Sequence, residues 1–129
     1  MPGHRLETMA QEIDADKEKL AREMLGRVAD TWTLLVIDAL ESGEKRFGQL
    51  RRAIPGISQK MLTQTLRQLE RDGLVTRKAQ PVVPPRVDYR LTPLGESLGE
   101  AVCGIWLWVE ANMEKVQAAR GAFDGEVRA

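Results

Sequence analysis

Cysteine and histidine are nearly missing from this sequence, one of each in 129 residues. Cys103 alone can close no internal disulfide and, without further thiols, builds no cysteine-cluster metal site. His4 stands near a terminus, where chains are commonly poorly ordered, so it is given no role and no protein-ligated zinc is expected. No stretch approaches the roughly 18 apolar residues that a membrane span requires. The opening residues Met1-Pro-Gly-His-Arg-Leu-Glu lack the apolar core of a secretion signal, so the expected location is the cytoplasm, with no membrane contact. No nucleophile is paired with a base and no metal-ligand set is present, which argues against catalytic residues, a cofactor and an enzyme. Internal repeats and low-complexity segments are absent too. The length and the ordinary hydrophobic content, 43%, suit one domain spanning residues 1–129.

Net charge is also absent, because 19 basic and 19 acidic residues cancel. The two signs are not evenly spread. Between Gly43 and Thr92, eleven Lys/Arg face only four acids (Glu44, Glu70, Asp72 and Asp88), a net of +7 that leaves −7 for the remainder. A basic block between two acidic arms implies a polyanion site on one face, with the arms serving another purpose.

Leu6, Met9, Ile13, Leu20, Met24 and Val28 recur at helical spacing and predict a helix from about Ile13 to Ala29. Asp30 is a suitable N-cap for a second helix, Thr31 to Glu41, whose apolar residues nearly surround it. Such a helix belongs in the core, with Trp32, Leu34, Leu35, Ile37 and Leu40 as its expected buried residues, and Ser42-Gly43 ends it. Phe47, Leu50 and Ile54 mark the inward face of a short third helix. Arg51 and Arg52 face outward, and Pro55-Gly56 breaks the element. Ser58 can cap the next helix, with Ile57 as a staple against Leu62. From Ser58 to Asp72 the apolar side is Met61, Leu62, Leu66 and Leu69, and Gly73 supplies the stop. The other side carries Gln59, Lys60, Thr63, Gln64, Arg67 and Arg71.

Leu74–Ala79 and Arg86–Leu91 read as strands around a tip stiffened by Pro81, Pro84 and Pro85. In the second strand Val87, Tyr89 and Leu91 alternate with Arg86, Asp88 and Arg90. Thr92-Pro93 is a cap followed by proline at the first helical position, and a last helix is predicted from Pro93 to about Arg120. Its stripe of Leu94, Leu98, Ala101, Val102, Ile105, Trp108, Val109 and Val116 has Gly99, Cys103, Trp106 and Leu107 roughly opposite. A terminal helix that is apolar on two sides exceeds what its own small domain can cover, and a second subunit is the usual answer. The tail 121–129, GAFDGEVRA, has no pattern and is expected to be mobile.

The order helix, turn, helix, hairpin predicts a mainly α fold with a small β-hairpin, a winged helix-turn-helix with DNA-binding core and wing over 44–92. The helices over 13–30 and 93–120 are assigned to dimerisation. In such a fold the second helix of the motif enters the major groove. Its outward residues are donors and amides with no acid before Glu70, whereas a merely solvated face normally mixes Glu with Lys. Gln pairs bidentately with adenine and Arg with guanine. The candidate DNA contacts are Arg46, Arg51, Ser58, Gln59, Lys60, Thr63, Gln64, Arg67, Lys78 and Arg86. Gln59, Thr63 and Gln64 are expected to read bases, Arg51, Lys78 and Arg86 to hold phosphate or minor groove, and Lys60 suits either task. One of Arg51 and Arg52 could pair with an acid instead. Leu20, Met24, Leu98, Ile105, Trp108 and Val109 are the candidate dimer contacts. Trp32, Trp106 and Trp108 are weighed as an aromatic effector pocket, chiefly Trp106 and Trp108, against the commoner fate of core or interface packing. Cys103, with no basic residue within one helical turn, is read as a small structural apolar group rather than a redox sensor.

The segments VADTWTLLVIDAL, RFGQLRRAIPGISQKMLTQTLRQLERDGLVTR and VPPRVDYRLTPLGESL together resemble the HxlR-type bacterial transcription regulators. The likeness runs in order and without gaps over roughly Lys19 to Leu98. The combination W-T, RF-x-L, GIS-x-K-x-LT-x-x-L, L-x-x-DGL and PP-x-V-x-Y-x-LT-x-x-G is highly specific. The resemblance implies a homodimeric winged helix in which the first and last helices build the dimer and each wing flanks DNA. It also implies a sensing role, since several such regulators respond to electrophiles or oxidants through a cysteine near the start of the first helix. Here that position holds Lys19, followed by Leu20 instead of the usual proline. The expected protein is a homodimeric, sequence-specific regulator of transcription, a repressor acting at an inverted-repeat operator on double-stranded DNA. A small apolar or aromatic molecule is the candidate effector. The alternative is a winged-helix protein-interaction module without DNA binding, which a cluster of acids on the second helix face would favour.

Overall fold

Asp30 separates the first two helices. Its Oδ1 accepts a hydrogen bond from the backbone N–H of Thr33 at 3.2 Å, satisfying one of the orphan donors that open a helix. The structure is a computed structural model and describes residues 15–128. His4, Leu6, Met9 and Ile13, and with them the expected start of the first helix, lie outside the described residues. The elements are α1 (Ala15–Val28), α2 (Thr31–Glu41), β1 (Lys45–Arg46), α3 (Phe47–Ala53), α4 (Gln59–Arg71), β2 (Val75–Gln80), β3 (Arg86–Leu91) and α5 (Pro93–Arg128). This is a mainly helical winged helix-turn-helix with a small antiparallel sheet and a long C-terminal helix.

α2 is central, as its nearly all-round apolar sequence requires. Val36, Ile37 and Leu40 are buried with Leu50 and Ile54 from the α3 region, Ile57, and Leu62, Leu66 and Leu69 of α4. Leu74, Val75 and Leu91 close the cluster from the sheet. The expected core of α2 needs correction. Val36 is fully buried, whereas Trp32, Leu34 and Leu35 are only half-buried. A helix with apolar residues on almost every side gives no periodic signal for choosing which of them is innermost; the neighbours decide that.

The sheet has three strands in the order β1-β3-β2, all antiparallel. β1 is two residues long, too short for any alternation, and exists because Lys45 and Arg46 pair with Tyr89 and Asp88. β2 begins and ends one residue later than the pattern indicates.

Thr92 joins the sheet to the last helix. Its hydroxyl accepts from the N–H of Gly95 at 3.0 Å and donates to the carbonyl of Gly73 at 2.7 Å, while its own N–H reaches the carbonyl of Leu74. The start of α5 is thereby tied to Gly73 and Leu74, the link between α4 and β2. A Cβ at Gly95 would collide with the Leu74 backbone carbonyl, so that position demands glycine, whereas one at Gly99 would meet only the carboxylate end of the exposed Glu41 side chain. The predicted end of α5 at Arg120 is wrong. The helix continues to Arg128 through the segment expected to be a patternless mobile tail. Gly121 and Gly125 each cost only about 1 kcal/mol relative to alanine inside a helix, and no proline interrupts the segment.

Candidate nucleic-acid interface

Ser58 Oγ accepts from the Met61 N–H at 3.0 Å and starts α4 immediately after the turn formed by Pro55 and Gly56, whose φ of 84° suits glycine. The buried side of α4 is Leu62, Thr65, Leu66 and Leu69. Thr65 sits on it without having been expected there. Ser58, Gln59, Lys60, Thr63, Gln64 and Arg67 are all exposed, as is Arg71 at the far end. The Thr63 hydroxyl donates to the carbonyl of Gln59 at 2.8 Å, which leaves its oxygen free to accept from a ligand. The first carboxylate along this face is Glu70, three turns from the start. Arg46, which precedes α3, is exposed, and its backbone N–H is bound by Gln49 Oε1 at 2.9 Å. Arg51 and Arg52 are exposed, and neither has an acidic partner among the described residues.

On the wing Lys78 is exposed, while Arg86 and Asp88 depart from expectation. Arg86 Nε lies 3.1 Å from Asp88 Oδ1, so the guanidinium is partly committed to this ion pair. Asp88 stands on the polar side of the strand with Arg86 and Arg90, as the alternation indicates, yet it is buried there. The hydrogen bond from Arg86 holds its carboxyl below the ordinary value of 3.8, aided by Gln80 and Glu44, while burial pulls the other way. Sequence alternation missed this because a buried carboxylate needs specific donors, and one of the two, Gln80, comes from the neighbouring strand while Arg86 stands two residues away on its own.

The candidate dimer residues divide. Met24 and Leu98 are half-buried against the subunit's own core. Leu20, Ile105, Trp108 and Val109 are exposed. The physical reason is the point at which α5 leaves the body. Val102 is its last buried residue, and from Cys103 to Glu126 every residue but Asn112 is exposed. Met113, Val116 and Phe123 extend the exposed apolar surface.

Cys103 is exposed in the single subunit and is not packed within its core. With Trp106 it lines a cleft of about 400 Å³ bounded by Leu35, Leu107 and three acids, Asp38, Glu41 and Glu110. Trp108 does not line that cleft. Positions 106 and 108 leave a helix about 200° apart, so the two tryptophans cannot wall one pocket as expected. Among the described residues no helix is long and apolar enough to cross a membrane.

An exposed, donor-rich helix after a capped turn, flanked by a basic two-stranded wing, is the apparatus of a winged helix-turn-helix DNA-binding protein. The HxlR-like helix-turn-helix model matches residues 27–117, and the chain belongs to that family. It is 49% identical over 100 residues to the uncharacterized HTH-type transcriptional regulator YtfH of Escherichia coli (strain K12), across 78% of this chain and 79% of that one. Among solved structures, YtfH from Salmonella typhimurium has a TM-score of 0.73 and 46% identity, covering 78% of this chain and 90% of that chain. The redox regulator HypR in its reduced form has a TM-score of 0.71 and 36% identity, covering 76% and 97%. The family is one of DNA-binding transcriptional regulators, not enzymes.

Proposed function

We propose that this protein is a cytoplasmic repressor that binds an inverted-repeat operator as a homodimer and reads its sequence with the first turns of α4. The observation that carries the reading is the exposed face Gln59, Lys60, Thr63, Gln64 and Arg67, which holds no carboxylate, beside the exposed cations of α3 and the wing. Amides and a hydroxyl supply base-edge contacts, and the surrounding charge supplies affinity for phosphate. The absence of acids before Glu70 also favours DNA over a protein partner for this face.

Dimerisation is supported by the length of α5 beyond the body, along which Ile105, Trp108, Val109, Met113, Val116 and Phe123 are exposed in the single subunit. A two-fold contact there, with Leu20 of α1 alongside, would set two recognition helices about one DNA turn apart, roughly 34 Å. Repression follows where the operator overlaps a promoter. HypR is by name a redox regulator. In this chain the position that the resemblance assigns to a sensing cysteine is Lys19, and Cys103 lies in a different helix, so regulation is proposed to be independent of thiol oxidation. Any effector is expected to be small and apolar. Selection of bound fragments from genomic DNA tests the whole reading: recovery of one inverted-repeat sequence supports it, and recovery of no enriched sequence refutes sequence-specific binding.

A further inference from the structure

Among the described residues Asp88 is the one charged side chain that is buried, at 3% exposure. It lies on the central strand of the sheet, in the middle of a basic surface. The pairing register sets Arg46 of β1 and Lys78 of β2 opposite it, and Arg86 and Arg90 stand two residues away along β3. Side chains alternate across a sheet, so these five share one face. A carboxylate is stable there only with its oxygens satisfied. Oδ1 accepts from Arg86 Nε at 3.1 Å, and Oδ2 accepts from Gln80 Nε2 at 3.0 Å. Gln80 and Arg86 are cross-strand partners on the last rung before the loop 81–85. The guanidinium is therefore gripped by its Nε edge at the base of the wing tip. Its two terminal amino groups remain, on a side chain that is 42% exposed.

We propose that Asp88 is a positioning residue for DNA, holding Arg86 so that its terminal amino groups meet a phosphate of the duplex. The proposal rests on the DNA-binding reading above and adds to it a carboxylate that acts against its own charge. A free arginine must give up its rotamer freedom when it binds, and fixing it beforehand removes that cost from the binding step. By charge alone, a carboxylate near phosphate weakens binding. Positioning and charge therefore predict opposite signs when Asp88 is neutralised.

The experiment titrates the full chain and the variants Asp88→Asn, Arg86→Ala and the double variant against a selected operator fragment and a scrambled duplex, at several salt concentrations. Asp88→Asn should weaken binding to both duplexes about five- to tenfold, part of what one charge-assisted hydrogen bond contributes, although it removes a negative charge. The double variant should bind like Arg86→Ala to within about twofold, because Asp88 acts through Arg86. Asp88→Asn binding as tightly as wild type or tighter would overturn the proposal, as would a double variant that multiplies the two single losses. Should Asp88→Asn melt below the assay temperature, Gln80→Ala takes its place, since it loosens the same carboxylate without changing charge. Its loss should vanish in the Arg86→Ala background, and a loss that persists there overturns the proposal. Wild-type protein that holds neither duplex would refute the DNA reading itself, an outcome distinct from these.

Discussion

Arg27 Nε donates to Asp72 Oδ2 at 2.8 Å, across 45 residues of sequence and with both side chains largely covered. Arg27 is in the last turn of α1, and Asp72 is the C-cap residue of α4, where Gln68 also reaches its other oxygen at 3.5 Å. The end of α4 is thus tied to the helix that precedes the core. Arg27→Ala should lower stability by about 1–3 kcal/mol, the range for a hydrogen bond to a charged group that leaves its partner unpaired. Urea unfolding measures it, and because the pair is sheltered the loss should persist in high salt. A loss that disappears in 1 M salt would mean that solvent already screens the pair.

Base reading and phosphate holding should separate on DNA. Gln64→Ala should cost about 1–3 kcal/mol on the operator and little on scrambled duplex, relaxing specificity at one base position. Lys78→Ala should weaken both complexes and lower the salt slope by about one unit. Equal losses of Gln64→Ala on the two duplexes would show that α4 does not read sequence at that residue.

A charge on the free length of α5 should break assembly while sparing the fold. Ile105 and Val109 are exposed in the single subunit, so Ile105→Glu or Val109→Glu should leave the helical circular dichroism signal intact. Sedimentation should show monomer at micromolar concentration, and operator affinity should fall with it. A variant that stays dimeric would move the interface elsewhere.

Oxidants should have little effect on the operator complex. Treatment with peroxide or a quinone should leave affinity within about twofold, a change below 0.5 kcal/mol, since exposed Cys103 has no second thiol in its chain. Loss of binding on oxidation, abolished in Cys103→Ser, would contradict this.

The face of α4 was legible in sequence because everything that makes it is local. The Ser58 cap, the apolar positions Leu62, Leu66 and Leu69, and the Gly73 stop recur within one helix at its own period. The same holds for the Thr92-Pro93 start of α5 and for Asp30. Composition added the basic block, and the ordered motifs from Trp32 to Gly95 carried the family. Tertiary structure alone decided what depends on partners distant in the chain. Arg27 found Asp72 only once α1 and α4 were packed, and the burial of Asp88 on its own face of the sheet needed Gln80 from the neighbouring strand beside Arg86 of its own. Val36 displaced Trp32 from the centre of the core, and α5 left the body after Val102. Periodicity reports which side of an element is apolar; only the packed neighbours determine what covers that side and how far along it the cover extends.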